Sequence, residues 1–400
     1  MSEPDADRVR VLLGRGHHAT EWGLQPFARL PDRFDVRMLL TRRNAYDVSR
    51  AGVPSVDVRT LRDRLPRGMV GDVVVKAVRD RYLDADRHLA EADIVHSEEL
   101  SLWFSSDLAL RKRDFGYRLV VTVWETIPLL DAFRNPHARR YRKATLEAGD
   151  LYLAATERAA EALQLEGVSE DRIQLVYPGV DVDRFAEAQG HAGPGEGHLV
   201  ISPGRLEWEK GHHDVIRAIA AIRRGQIPTD DGVAEGLRLI IVGSGPEEGR
   251  LRRHADELGV ADAVEISSVP YEDMPSLYQR ASAIVLASLP SSGCALHPGD
   301  LPRCFWEEQF GLVLAEAMAA GLPMIASSSG AIPEVVAGGA DLFPPGGWIE
   351  IARLLAAGPL SRPPGTRVEP DRDRLRLFST AAAANRIAAA YERVLETPPS

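Results

Sequence analysis

Short runs of aliphatic and β-branched residues alternate with helix-length segments along almost the whole chain. That alternation constrains the fold more than any other feature, because it favours parallel sheets covered by helices. A first series of strand-like runs covers residues 9–13, 36–40, 53–58, 93–96, 119–124 and 151–154, with helical stretches at 69–82 and 157–166. A second series covers 199–202, 237–242, 264–267, 283–287 and 323–326. The segment 190–197, GHAGPGEG, separates the two series and is too polar and glycine-rich to build a core. Four hundred residues exceed one compact core and suit two. The pattern predicts two Rossmann-like α/β domains, residues 1–185 and 186–374. An alanine-rich helical segment occupies 375–400, after a loop at 359–370.

The formal charge of -10 argues against general nucleic-acid binding, which favours a basic face. No apolar run approaches the roughly twenty residues of a membrane span, and the first ten residues, MSEPDADRVR, are polar and acidic. A cytoplasmic location is expected. Cys294, His297 and Cys304 offer three metal ligands where a structural zinc site uses four. They read as a reduced, loop-packing pair with a neighbouring histidine, and no metal is expected. Arg134, His137, Arg139, Arg140, Arg142 and Lys143 form the densest basic run. It suits a solvated helix face, weak peripheral contact with anionic lipid, or a phosphorylated acceptor.

Two carboxylates, Glu308 and Glu316, stand eight residues apart around the start of an apolar helix. Leu312, Val313, Ala315 and Met318 bury one side of that helix, Gly311 lets a ligand approach the backbone, and Gly321 suits the C-terminus. A core helix gains nothing from such carboxylates. Free N–H groups at its start do suit phosphate. A hydroxyl-rich, phosphorylated ligand accounts for both. Arg205 and Lys210 follow a strand and precede a helix, so they project over the carboxyl edge of a parallel sheet, where ligands bind.

The carboxylate segment resembles the E-x7-E signature of retaining nucleotide-sugar glycosyltransferases of the family 4, or glycosyl transferases group 1, type. Residues 202–211, SPGRLEWEKG, resemble that family's G-R-L-x-x-x-K-G phosphate element. Residues 177–185, YPGVDVDRF, resemble its interdomain segment, and 330–336, GAIPEVV, its G-I-P-E-V-V. The resemblance implies the GT-B fold: two Rossmann-like, doubly wound domains facing a central cleft, the first for the acceptor and the second for the donor. The last helix would return to the first domain. It implies front-face transfer of a hexose from a UDP- or GDP-linked donor to an acceptor hydroxyl, with retention and without metal or cofactor. Arg205 and Lys210 would neutralise the diphosphate and stabilise it as a leaving group. Glu308 would contact the sugar and Glu316 the ribose, while Phe310, Gly311 and Leu312 would offer backbone amides.

The first half departs from the family pattern. Its opening loop, Gly14 to Gly23, places Gly16 and His17 on the acceptor side, and His96 follows another strand. Where relatives have His-Asp, this chain has Trp124 and Glu125. Trp124 either stacks on a sugar or closes the core; Glu125 either accepts sugar hydroxyls or caps a turn. A long connection, 288–306, leads into Glu308 and carries Trp306 as packing anchor or sugar platform. The acceptor stays open among small molecules, glycans and lipid-linked sugars. Gly243-Ser244-Gly245-Pro246 is part of a dinucleotide fingerprint, but Gly249 falls one residue late, which disfavours an oxidoreductase. Other GT-B enzymes (an epimerase or glycan phosphorylase) and a non-catalytic sugar-nucleotide-binding subunit remain as rival readings.

Overall fold

The computed structural model describes residues 8–68, 71, 74, 75, 78–130, 136–187, 197–292 and 304–397. The chain divides into two compact units, residues 1–179 with 379–400, and 180–378.

The first unit holds a seven-stranded parallel sheet of β1 (Val9–Gly14), β2 (Phe34–Thr41), β3 (Ser55–Val58), β4 (Ile94–Glu98), β5 (Arg118–Val123), β6 (Leu151–Ala154) and β7 (Ile173–Leu175), in the order β3-β2-β1-β4-β5-β6-β7. Consecutive residues face opposite sides: Val11 and Leu13 join one apolar cluster and Leu12 the other. Such two-sided burial is what parallel strands with helical crossovers require. The helix Thr380–Glu396 belongs to this unit and seats Ile387, Tyr391 and Val394 among Val11, Leu13 and Phe34.

The second unit holds β8 (Leu199–Pro203), β9 (Arg238–Val242), β10 (Val264–Ser267), β11 (Ala283–Leu286), β14 (Met324–Ser327) and β15 (Asp341–Phe343), in the order β10-β9-β8-β11-β14-β15. A separate hairpin pairs β12 (Ser291–Ser292) with β13 (Cys304–Phe305). The fold class is thus α/β with two Rossmann-like parallel-sheet domains.

Three expectations need adjustment. The boundaries fall at 179/180 and 378/379, not 185/186 and 374/375. Phe185 is fully buried against Tyr271 and Tyr278, and Phe378 packs edge-on to Phe310, so both belong to the second core. The edge strands β7 and β15 carry no strong apolar signal. In the stretch expected as a helix over 69–82, residues 71, 74, 75 and 78 are helical, but the helix does not reach 79–82, where Tyr82 bridges to Thr60; residues 69, 70, 72, 73, 76 and 77 lie outside the described residues. Among the described residues no helix is long and apolar enough to cross a membrane.

Candidate functional site

Strand order reverses between β8 and β11, and the carboxyl edge at such a reversal is where open parallel sheets form the crevice that takes ligands. The loop after β8 carries Arg205 and Lys210; the chain after β11 leads to Glu308. Lys210 Nζ lies 2.6 Å from Glu308 Oε2, and both side chains are largely buried. Ser288 Oγ donates to the same carboxylate oxygen at 2.6 Å. The Lys210 ammonium also sits 4.8 Å from the centre of the Trp306 ring, a cation–π arrangement. Arg205 is more open, with over half its side chain exposed, and pairs loosely with Glu207 and Glu209.

Glycines make this assembly sterically feasible. Gly211 has φ +65°, and a Cβ there would lie 2.0 Å from the carbonyl oxygen of Ala287. Gly330, at φ +55°, would place a Cβ 2.1 Å from the Glu308 carbonyl oxygen. That oxygen accepts the Ala331 N–H, and the Glu308 N–H donates to Ser329 Oγ at 3.3 Å. The glycines at 243 and 245 have an equally mechanical explanation. A Cβ on either would strike the backbone of Gly204 or Leu206, so they let the loops after β8 and β9 touch. Leu206 N–H donates to Ser244 O across that contact.

The helix Leu312–Ala319 starts from Gly311 in the left-handed region, φ +83°. Phe310 is buried against Phe378, which fixes the entry of this helix. On the same helix Glu316 is buried and accepts Tyr278 Oη at 3.0 Å. Burial pushes its carboxyl up to about 7, against the pull of hydrogen bonds from Tyr278 and Tyr271 and the charge of Arg184. His212 and His213 are pushed down to about 4 and about 3, chiefly by burial. Both are therefore neutral near pH 7. His212 donates from Nε2 to the Arg205 carbonyl at 3.2 Å, accepts from Ser202 Oγ at Nδ1 at 2.9 Å, and so braces the loop that holds Arg205.

In the first unit several expected ligand-binding side chains are structural. His17 is buried, with Nδ1 2.9 Å from Thr41 Oγ1 and Nε2 2.9 Å from Asp80 Oδ2. His96 is wholly buried within β4 and bonded at both nitrogens, to Tyr391 Oη and Thr122 Oγ1 at 2.7 Å each. Neither is presented to a substrate. Gly16 serves packing, since a Cβ there would lie 2.4 Å from the Phe104 ring. Glu125 Oε1 accepts the Ile127 N–H at 2.9 Å and caps a turn. Trp124 is half-buried at the carboxyl edge of β5, where its ring meets that of Trp22 edge-on at 5.9 Å. The basic run is partly consumed: Arg142 is tied to Glu166, and Lys143 lies 3.6 Å from Glu147. Arg134, Cys294 and His297 lie outside the described residues, as does most of the long connection before Trp306.

Ser288, Tyr278, Arg15 and Glu98 escape a motif-based reading. Ser288 follows the buried strand β11 by two residues and Tyr278 sits on a core helix, so neither carries a local signal. Their roles arise from what packs against them.

The model described as "Glycosyltransferase Family 4" matches residues 18–184, and that described as "Glycosyl transferases group 1" matches 183–357. The D-inositol 3-phosphate glycosyltransferase of Mycolicibacterium smegmatis is 27% identical over 76% of this chain and 68% of its own length. That of Salinispora arenicola is 28% identical over 63% of this chain, and the match takes in only 57% of the relative. Among solved structures, Anabaena Alr3699/HepE in complex with UDP and glucose superposes with TM-score 0.67 at 17% identity, covering 95% of this chain and 99% of that one. Sucrose-phosphate synthase from Thermosynechococcus elongatus gives 0.66 at 19% identity, covering 97% and 99%. At such identities the likeness is one of fold.

Proposed function

Because this chain belongs to the glycosyl transferases group 1 family, we propose that it moves a hexose from a nucleoside diphosphate sugar to an acceptor hydroxyl with retention of configuration. The observation that carries the reading is the Lys210–Glu308 pair at the β8/β11 crevice, flanked by the exposed Arg205 and the helix opening at Gly311. Here a cation and a carboxylate neutralise each other until a ligand offers each a replacement partner. Lys210 would turn to the donor diphosphate, and the sugar hydroxyls would donate to Glu308. Glu316 would accept the two ribose hydroxyls. The complexes of the structural neighbour with UDP and glucose support a uridine nucleotide as the first donor to try.

In the proposed step the acceptor oxygen bonds to the anomeric carbon while the bond from that carbon to the phosphate oxygen breaks. The departing phosphate oxygen takes the acceptor's proton. Arg205, Lys210 and the amides at the start of the helix stabilise the charge that develops on the diphosphate. No third carboxylate is needed as nucleophile. These cationic groups would serve the leaving group in place of a divalent ion, so turnover is expected to survive EDTA; complete loss on chelation, restored by Mg2+ or Mn2+, would overturn this part of the reading.

Donor hydrolysis and transfer by the purified protein test the rest. Lys210→Ala should lower turnover at least a hundredfold, about 2.7 kcal/mol of barrier. Because that change strands a buried carboxylate, Lys210→Ala with Glu308→Gln should recover folding stability but not turnover. Wild-type turnover in the folded double variant would remove the pair from the chemistry.

A further inference from the structure

We propose that the recess at the carboxyl edge of the first sheet binds an uncharged acceptor with a flat apolar ring and a free hydroxyl, and excludes a phosphorylated one. The recess is open to solvent and is lined by Trp22, Phe27, Trp124, Tyr177 and Ile387, with Arg15 and Glu98 as its charged members. It lies where β1, β4 and β5 end on either side of the β1/β4 reversal, the position at which open parallel sheets take ligands.

Charge decides the ligand class. Arg15, the cation of the lining, is already spent. Its guanidinium donates to the Gly14 and His96 carbonyls at 3.1 and 2.8 Å, lies 3.6 Å from Glu98 Oε2, and stacks over Phe27 at 5.2 Å. With only 6% of that side chain exposed, a phosphate would meet no available cation among the described lining residues and would face Glu98 instead. An uncharged hydroxyl suits Glu98, whose side chain is 29% exposed and keeps acceptor capacity.

The aromatic wall is held in place. Trp124 Nε1 donates to Glu98 Oε1 at 2.8 Å, and its backbone N–H donates to Glu99 Oε1 at 2.9 Å. Glu99 adopts φ +62°, an uncommon conformation for a non-glycine residue and one that persists only where its surroundings enforce it. Two adjacent carboxylates thus hold Trp124, one at its backbone and one at its indole. Trp22 meets it edge-on and leaves 39% of its own surface exposed at the rim. A rigid, half-open pair of indoles is a surface for a planar apolar ring.

The word acceptor rests on the glycosyltransferase reading; the chemistry of the ligand does not. The test is therefore a binding measurement on the full chain, with 2-naphthol as probe followed by calorimetry. Saturable binding is expected, weakened tenfold or more by Trp22→Ala and largely retained by Trp22→Phe. A tenfold excess of inositol phosphate should not compete, and the thermal shift produced by UDP should be the same in all three proteins. Absent binding, binding indifferent to Trp22→Ala, or displacement by inositol phosphate would each overturn the proposal. Naphthol binding without transfer from any nucleotide sugar would leave the recess standing and count against the enzymatic reading alone.

Discussion

Glu316 holds its proton more tightly in the folded chain than a free carboxylate would, with burial raising it from the ordinary 4.5 to about 7. Folding therefore takes up a proton between about pH 4.5 and about 7, so this residue's contribution to stability falls as pH rises through that window and is flat above it. Ligand binding runs the other way. Ribose hydroxyls donate to a carboxylate, so a bound nucleotide favours the ionised form, and donor affinity should rise from pH 6 to 8. Glu316→Gln should weaken nucleotide binding and remove this rise; titrations at several pH values that show the same slope in the variant would exclude the residue from the site. Lys210 and Glu308 face each other at 2.6 Å with both side chains largely buried. A buried ion pair is costly to break from one side only, which is why the single and double changes at that pair should differ in stability.

At the level of elements, the crevice is made by loops that approach too closely for side chains. Gly330 shows this most directly, because its absent Cβ would collide with the backbone of the residue that presents the carboxylate to Lys210. Gly330→Ala should thus lower the unfolding midpoint and reduce donor affinity at least tenfold. Gly338→Ala supplies the control: φ there is +87°, but nothing lies within 4 Å of the added methyl. It carries only the conformational cost of a left-handed alanine, about 1 kcal/mol, and should leave donor affinity intact. Equal effects of the two changes in denaturant melts and titrations would mean that backbone strain, not the Gly330–Glu308 contact, governs the site. The edge strands β7 and β15 belong to this scale as well. Each has three residues with one ladder partner, so partial exposure replaces the continuous apolar run that marks a central strand.

For the molecule as a whole, two sheets with separate cores predict two separable stabilities. The first unit is closed by the helix Thr380–Glu396, which buries Tyr391 and Ile387 and bonds Tyr391 Oη to His96 in the central strand β4. Deleting 379–400 should abolish the first unit's cooperative transition. The second unit should keep its own transition, still raised by the nucleotide through mass action. A single unchanged transition in calorimetry would show that the terminal helix is dispensable.

The sequence by itself determined the fold class, the two sheets and eleven of their strands, β1–β6, β8–β11 and β14, because alternating strand and helix patterns are local and repeat along the chain. It also marked out Arg205, Lys210, Glu308 and Glu316, whose spacing around strand ends and a helix start is a local property too. Tertiary structure alone decided which polar residues are spent on the protein itself. His17 and His96 look like ligand-binding histidines in their loop and strand contexts, yet Asp80, Thr122 and Tyr391, distant in sequence, satisfy them completely. Trp124 shows the reverse, since its setting is defined by Glu98, Glu99 and Trp22. Partners brought from 26 to 295 residues away cannot be read from local pattern, and a buried polar group is structural or available according to whether those partners arrive.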